Sequence, residues 1–288
     1  MNIYMNFSGV YDERLLSDGD LLQVPASFKG STGSLSQEPE GTAYEIPVGE
    51  NSDVMLLTFE NLEGTDGYCT EEARSSISHA IREVPLHAVH LLDNGNYHYL
   101  TELYLERIHE PFDLAVFDHH TDMQPSALLP LLSCGNWILE ALERCPLLKR
   151  VLLLGPPKEA VCEIPEEVRE KVIWISEEEL ECEQSLAALL ACRSGLQRPV
   201  YISVDKDILR PAEFASNWDQ GSISLQTLVR RINELISERT LGLDLCGAPA
   251  RGRDGVFDPQ ELAKSGRIDQ LLSKKFHEIC SRENPSGC

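Results

Sequence analysis

Leu114-Ala115-Val116-Phe117-Asp118-His119-His120-Thr121-Asp122 is the stretch on which the fold is decided. Its first four residues are apolar, and its last five set two carboxylates around a histidine at two-residue spacing. The apolar run predicts a buried strand, and the acids mark where it hands over to a loop. Alternate residues of an extended segment share a face, so Asp118, His120 and Asp122 can converge on one point. Two hard oxygens and an imidazole suit a divalent first-row ion. The plain alternative is a polar loop capping the next helix, and this stretch alone does not separate the two.

Two further elements extend the pattern. Downstream, Pro199-Val200-Tyr201-Ile202-Ser203-Val204 reads as a buried strand ending in Asp205-Lys206-Asp207, which again puts two carboxylates on one side; the competing reading has Lys206 neutralising both. Upstream, His87-Ala88-Val89-His90-Leu91-Leu92 is a strand candidate, and the turn residues of Asp93-Asn94-Gly95-Asn96 lead to His98 at the start of a helical pattern running from Tyr99 to Ile108. Taken singly, His98 reads as a packing or capping residue. Together, the three elements lie at the C-terminal ends of strands in an alternating strand–helix chain, the edge where open parallel sheets bind ligands. Four carboxylates and two imidazoles suffice for two ions with shared aspartates, and burying so many acids without cations is costly.

With these residues in place, the chain resembles the arginase superfamily, which includes arginase, agmatinase and formimidoylglutamase. A loop histidine, an Asp-x-His-x-Asp and an Asp-x-Asp follow one another in that order, over roughly residues 87 to 249. The resemblance implies two Mn2+, with Fe, Co or Zn as alternatives. His98 and Asp122 would serve one ion, His120 and Asp207 the other, and Asp118 and Asp205 would bridge. It also implies an α/β fold, a three-layer open parallel sheet with helices on both faces. The implied chemistry is hydrolysis of a C–N bond, that of a guanidino group, by a hydroxide shared between the ions, with Asp122 as ligand, orienting group and proton relay. Ser133-Cys134-Gly135-Asn136-Trp137 falls where the family carries a Gly-Asn that holds the substrate's amino-acid end, which assigns Asn136 to substrate.

The chain also departs from the family. The proton-shuttle histidine position is Ile138, and the guanidinium-gripping glutamate position, after Leu241-Gly242-Leu243-Asp244-Leu245-Cys246, is Gly247. The loop after the Asp-x-Asp carries Asn217-Trp218-Asp219-Gln220-Gly221 in place of a Pro-Gly-rich run. The resemblance therefore implies a metal core that is kept and a free-arginine pocket that is not. Asn136-Trp137 is similar to a divergent branch that includes peptide arginases. Asp219 and Asp244, which follow metal-edge elements, are the acids placed to meet a cationic substrate, with a structural hydrogen-bonding role as the alternative for each. His119 should point away from the ions. Trp137 and Trp218 read as pocket lining or as core.

Composition agrees. The 288 residues carry 47 acidic against 25 basic side chains, a formal charge of −22, which argues against a nucleic-acid surface and suits a cationic small-molecule or peptide substrate. No apolar run is long enough for a bilayer, so a membrane partner is not expected. The N-terminus lacks a signal-peptide pattern, and nine cysteines without a Cys-x-x-Cys pair suggest reduced thiols in a cytoplasm. One domain is expected, with residues 1–85 supplying edge strands, a loop over Ser27–Gly41 and a helix over Glu71–Arg82, and 86–288 the metal-binding core. Further strands are predicted at 54–60, 150–155, 171–176 and 240–246, and helices at 126–144, 177–193, 224–238 and 258–273. Two other functions remain open: a deacetylase-like metal amidohydrolase, and a non-catalytic metal-binding protein.

Overall fold

The computed structural model describes residues 1–11, 44–47, 54–125, 131–191 and 196–280. The expected Ser27–Gly41 loop lies outside them. Nine strands form one sheet: β1 (Asn2–Asn6), β2 (Tyr44–Pro47), β3 (Val54–Thr58), β5 (Val89–Leu91), β6 (Phe112–Phe117), β8 (Leu148–Gly155), β9 (Val172–Ser176), β10 (Val200–Asp205) and β11 (Thr240–Cys246). Their order is β2-β3-β1-β5-β11-β10-β6-β8-β9, and every pairing is parallel except β2 with β3. Such a sheet must be covered on both faces, and its strands read as near-continuous apolar runs; β6 and β10 are buried along their whole lengths.

The two faces carry separate cores. Leu114, Val116 and Tyr201 pack on one side with Ile77 of α1 (Glu71–Ala80), Leu100 and Leu103 of α2 (Leu100–Leu105), and Trp137 and Ala141 of α3 (Trp137–Arg144). Ala115, Phe117, Ile202 and Val204 pack on the other. Their partners there are Leu180 of α4 (Glu177–Glu181), Leu186 of α5 (Leu186–Leu190), Ile232 of α6 (Leu225–Leu235), and Leu272 and Phe276 of α7 (Pro259–Cys280). The architecture is the expected three-layer α/β sandwich.

The structure revises several elements. β1 is not an edge strand: it pairs with β3 on one side and β5 on the other, and its segment is anchored where the Phe7 and Ser8 amides and the Ser8 hydroxyl donate to the buried Asp93 carboxylate. The helix expected from 126 starts only at Trp137. Leu132–Ser133 instead forms β7, antiparallel to β4 (Tyr68–Cys69), and residues 126–130 lie outside the described part. The helix expected at 177–193 is two short ones, broken after Glu181 and restarted by the Ser185 cap. No helix among the described residues is long and apolar enough to cross a membrane.

Candidate metal centre

Register brings the acids together. Val204 of β10 is level with Phe117 of β6, so the next residue on each strand, Asp205 and Asp118, stands at the same rim. By alternation both follow the face of Val116 and Ser203, and Lys206 and His119 turn the other way. Lys206 therefore does not neutralise its flanking acids. It is buried in the opposite layer, where its Nζ donates to Ser265 Oγ at 2.7 Å and to Asp269 Oδ1 at 2.9 Å. His119 likewise leaves the cluster; its Nε2 stands 4.0 Å from Asp219 Oδ2.

Both histidines aim Nδ1 inward. His98 Nδ1 lies 3.1 Å from Asp118 Oδ2, 3.2 Å from Asp122 Oδ2 and 3.6 Å from Asp205 Oδ2. His120 Nδ1 lies 3.0 Å from Asp207 Oδ2 and 3.5 Å from Asp118 Oδ1. One group of donors is His98, Asp118 and Asp205, a second is Asp118, His120 and Asp207, and the atoms of each lie within 4.8 Å of one another. Asp118 is common to both.

Backbone geometry fixes the remaining acids. Asp207 follows a short turn in which its amide donates to Asp205 Oδ1 at 2.9 Å. Asp122 sits at φ +48°, a left-handed conformation that costs energy for a side chain with a Cβ. It is held there by the Trp137 indole, whose Nε1 donates to Asp122 Oδ2 at 2.6 Å, and by the Ile138 amide on its carbonyl.

Charge follows from burial. Four carboxylates meet two imidazoles, so even with both imidazoles protonated two negative charges lack a partner. Burial alone would lower the histidines, but the carboxylates outweigh it: Asp118 and Asp122 hold His98 well above its ordinary range, and Asp118 and Asp207 push His120 up to about 12. Burial and neighbouring carboxylates raise Asp207, and burial and Asp118 raise Asp122 to about 7. Asp118 goes the other way: burial opposes its ionisation, but hydrogen bonds from His120 and His98 hold it below the usual carboxylate range. Among the described residues, neither lysine nor arginine lines the cavity of about 260 Å3 above the cluster. Two divalent cations with neutral imidazoles would balance the four carboxylates, so the donor set fits a pair of ions.

The comparisons with known proteins bear on the fold. No family model matches the chain. It is 28% identical over 205 residues to an uncharacterised protein of Thermotoga maritima, covering 71% of this chain and 76% of that one. Among solved structures it is similar to the agmatine ureohydrolase of Thermoplasma volcanium, with a TM-score of 0.61 at 16% identity over 96% of this chain and 91% of that one. It is also similar to the formiminoglutamase of Trypanosoma cruzi with Mn2+, with a TM-score of 0.55 at 14% identity over 71% and 72%. The fold is that of the arginase and ureohydrolase superfamily.

Within this arginase-type fold, the six residues expected as ligands converge, whereas those expected to touch substrate do not. Asn136 is buried and turned into its own loop: its Oδ1 accepts from the Ser133 amide at 2.7 Å and its Nδ2 donates to the Leu131 carbonyl at 2.8 Å. Asp244 is level with Ser203 in the β10–β11 register, two residues below the rim. It accepts from Ser203 Oγ at 2.5 Å, and that oxygen lies 2.9 Å from His98 Nε2. Asp244 thus backs the histidine and does not reach the cavity. Asp219 is solvent-exposed and does not line the cavity either. The lining is Gln124, Ser133, Cys134, Gly135 and Trp218, with Gly67 and Gly95, set by the β4–β7 pair and by the Gln124 amide on the Gly135 carbonyl. Ser203 was readable from the sequence, since it precedes Asp205 by two on one strand face. Gln124 and Cys134 carried no such signal.

Proposed function

We propose that this protein is a binuclear manganese hydrolase that cleaves the C–N bond of a guanidino group, on an arginine-like substrate carried within a peptide. The observation that supports this most is Asp118, which faces both inward-pointing imidazoles at once. A single-ion site would need only one of these groups.

His98, Asp118, Asp122 and Asp205 would hold one ion, and His120, Asp118, Asp205 and Asp207 the other. Two such ions, when bound, would lower the pKa of a bound water and so supply a nucleophile at neutral pH. The chain's own residues set the rest. Asp122, fixed by the Trp137 indole, orients that nucleophile towards the guanidino carbon and passes its proton to the leaving nitrogen. The C–N bond then breaks to give urea and an amine. Ser203 and Asp244 hold the His98 ring from behind, as carboxylate and hydroxyl partners commonly do for ligating histidines.

A free amino acid is the weaker substrate. Asn136 is committed to its loop and does not line the cavity, so it is not placed to hold an α-carboxylate there. Gly247, at φ +82°, lies so close that a Cβ there would meet Asp205 Oδ1 at 2.5 Å, so the guanidinium-gripping glutamate of the family has no room. Urea release from Mn2+-loaded protein, measured on arginine peptides, free arginine and agmatine, tests this reading. Urea should appear, and fastest from the peptides. Acetate from an acetyl-lysine peptide with no urea would select the amidohydrolase reading instead, and turnover of neither panel by a metal-loaded protein would select the non-catalytic one.

A further inference from the structure

We propose that Trp218 is the surface that recognises the planar cation of the substrate, replacing the carboxylate that position 247 cannot carry. This rests on the reading of the site as a guanidino hydrolase. Trp218 is 39% exposed, in contrast to Trp137 in the core, and it forms part of the wall of the cavity whose floor is the acid cluster.

The indole has a built seat. Its Nε1 donates to Asn96 Oδ1 at 3.0 Å, and Asn96 Nδ2 donates in turn to Asp66 Oδ1 at 2.6 Å. Gly95 lies beneath the ring, where a Cβ would come within 2.6 Å of Trp218 Cδ1. The ring stands at 72° to His120 with centroids 5.8 Å apart. The loop that carries it is tied down as well: Gln220 Nε2 donates to the Leu209 and Phe214 carbonyls, and the Gly221 amide donates to the Asp207 carbonyl at 2.8 Å. Three separate segments thus fix an exposed aromatic ring beside a metal-ligand candidate.

The chemistry of the cavity selects the occupant. Among the described residues no lysine or arginine lines it, and aromatic faces attract guanidinium groups, more strongly as water is excluded. A planar cation stacked on the indole would be held by the ring on one side and drawn by the carboxylates below.

The test compares equilibrium binding of N-acetyl-arginine amide with that of its neutral isostere, N-acetyl-citrulline amide. The Mn2+-loaded wild type is set against the Trp218→Leu and Trp218→Phe variants, with metal content measured alongside. The wild type should prefer the cation, Trp218→Leu should lose about tenfold of that preference, and Trp218→Phe should keep most of it, with metal content equal in all three. An unchanged preference in Trp218→Leu overturns the assignment; so does a loss of metal in that variant, which would make the ring a support for His120. Because the readout is binding, it stands apart from turnover: a wild type that prefers the cation yet releases no urea contradicts the proposed reaction and leaves the role of Trp218 intact.

Discussion

Asp207→Asn separates the cost of the acid cluster from its use. At an effective dielectric near 20, the Asp207 carboxylate gains about 5 kcal/mol from a protonated His120 at 3.0 Å. Within 4.8 Å it loses at least about 3.5 kcal/mol to Asp118. Burial and, after it, repulsion from Asp205 act in the same unfavourable direction, which is why its carboxyl is held well above the ordinary range. An acid raised in the folded state costs stability above its unfolded pKa, and asparagine does not carry that cost. Its side-chain oxygen can still accept from the His119 amide, now 3.2 Å from Asp207 Oδ1. Metal-free Asp207→Asn should therefore melt no lower than metal-free wild type, and up to about 4 °C higher, roughly 2 kcal/mol. Bound ions reverse the order. Each site filled at a hundred times its dissociation constant adds about 2.7 kcal/mol. Saturating Mn2+ should then raise the wild type by roughly 10 °C and the variant, left with the His98 site, by about half as much. Thermal melts with and without Mn2+, beside metal analysis, read both effects. A metal-free variant that melts well below wild type, or one that still takes up two ions with the full thermal rise, would refute the reasoning.

Ser203→Ala removes the hydroxyl behind His98 Nε2 and should weaken one of the two Mn2+ sites by about 10- to 100-fold while leaving the other unchanged; a metal titration that shows equal weakening of both argues against a role specific to His98. Metal-free stability should fall as pH rises from about 5 to 9, because His120, raised to about 12, and Asp122, raised to about 7, leave the folded state holding more protons than the unfolded one. Mn2+ displaces those protons, so its affinity should rise with pH over the same range; melts that climb with pH in a chelator would contradict this. Lys206→Met breaks a fully buried pair with Asp269 and should cost about 3–5 kcal/mol without changing the number of ions bound. A changed metal stoichiometry in that variant would return Lys206 to the acid cluster.

The placement of Asp118 and Asp205 at one rim was legible because it obeys short-range geometry, whereas His98 joined the cluster only through the other two elements and the resemblance. Period-two alternation places Asp118 with Val116 and Asp205 with Ser203, and it sends Lys206 to the far layer. The strands β6 and β10 were legible as uninterrupted apolar runs. What the sequence hid depends on long-range pairing or on side-chain direction. The insertion of β1 between β3 and β5 is a matter of sheet order, which its own five residues do not encode. β7 is two residues long and exists only through β4. Asn136 and Asp244 have the right residue types in the right neighbourhood, but a turn hydrogen bond draws one inward, and strand register leaves the other two residues short of the rim. The seat of Trp218 joins residues 66, 95, 96 and 218, a juxtaposition with no local pattern.

The measurement that bears most directly on the account is an anomalous difference map from crystals grown with Mn2+. Two peaks are predicted, one beside His98 Nδ1 and one beside His120 Nδ1, with Asp118 touching both. A single peak, or carboxylates paired by protons alone at full Mn2+, would contradict it.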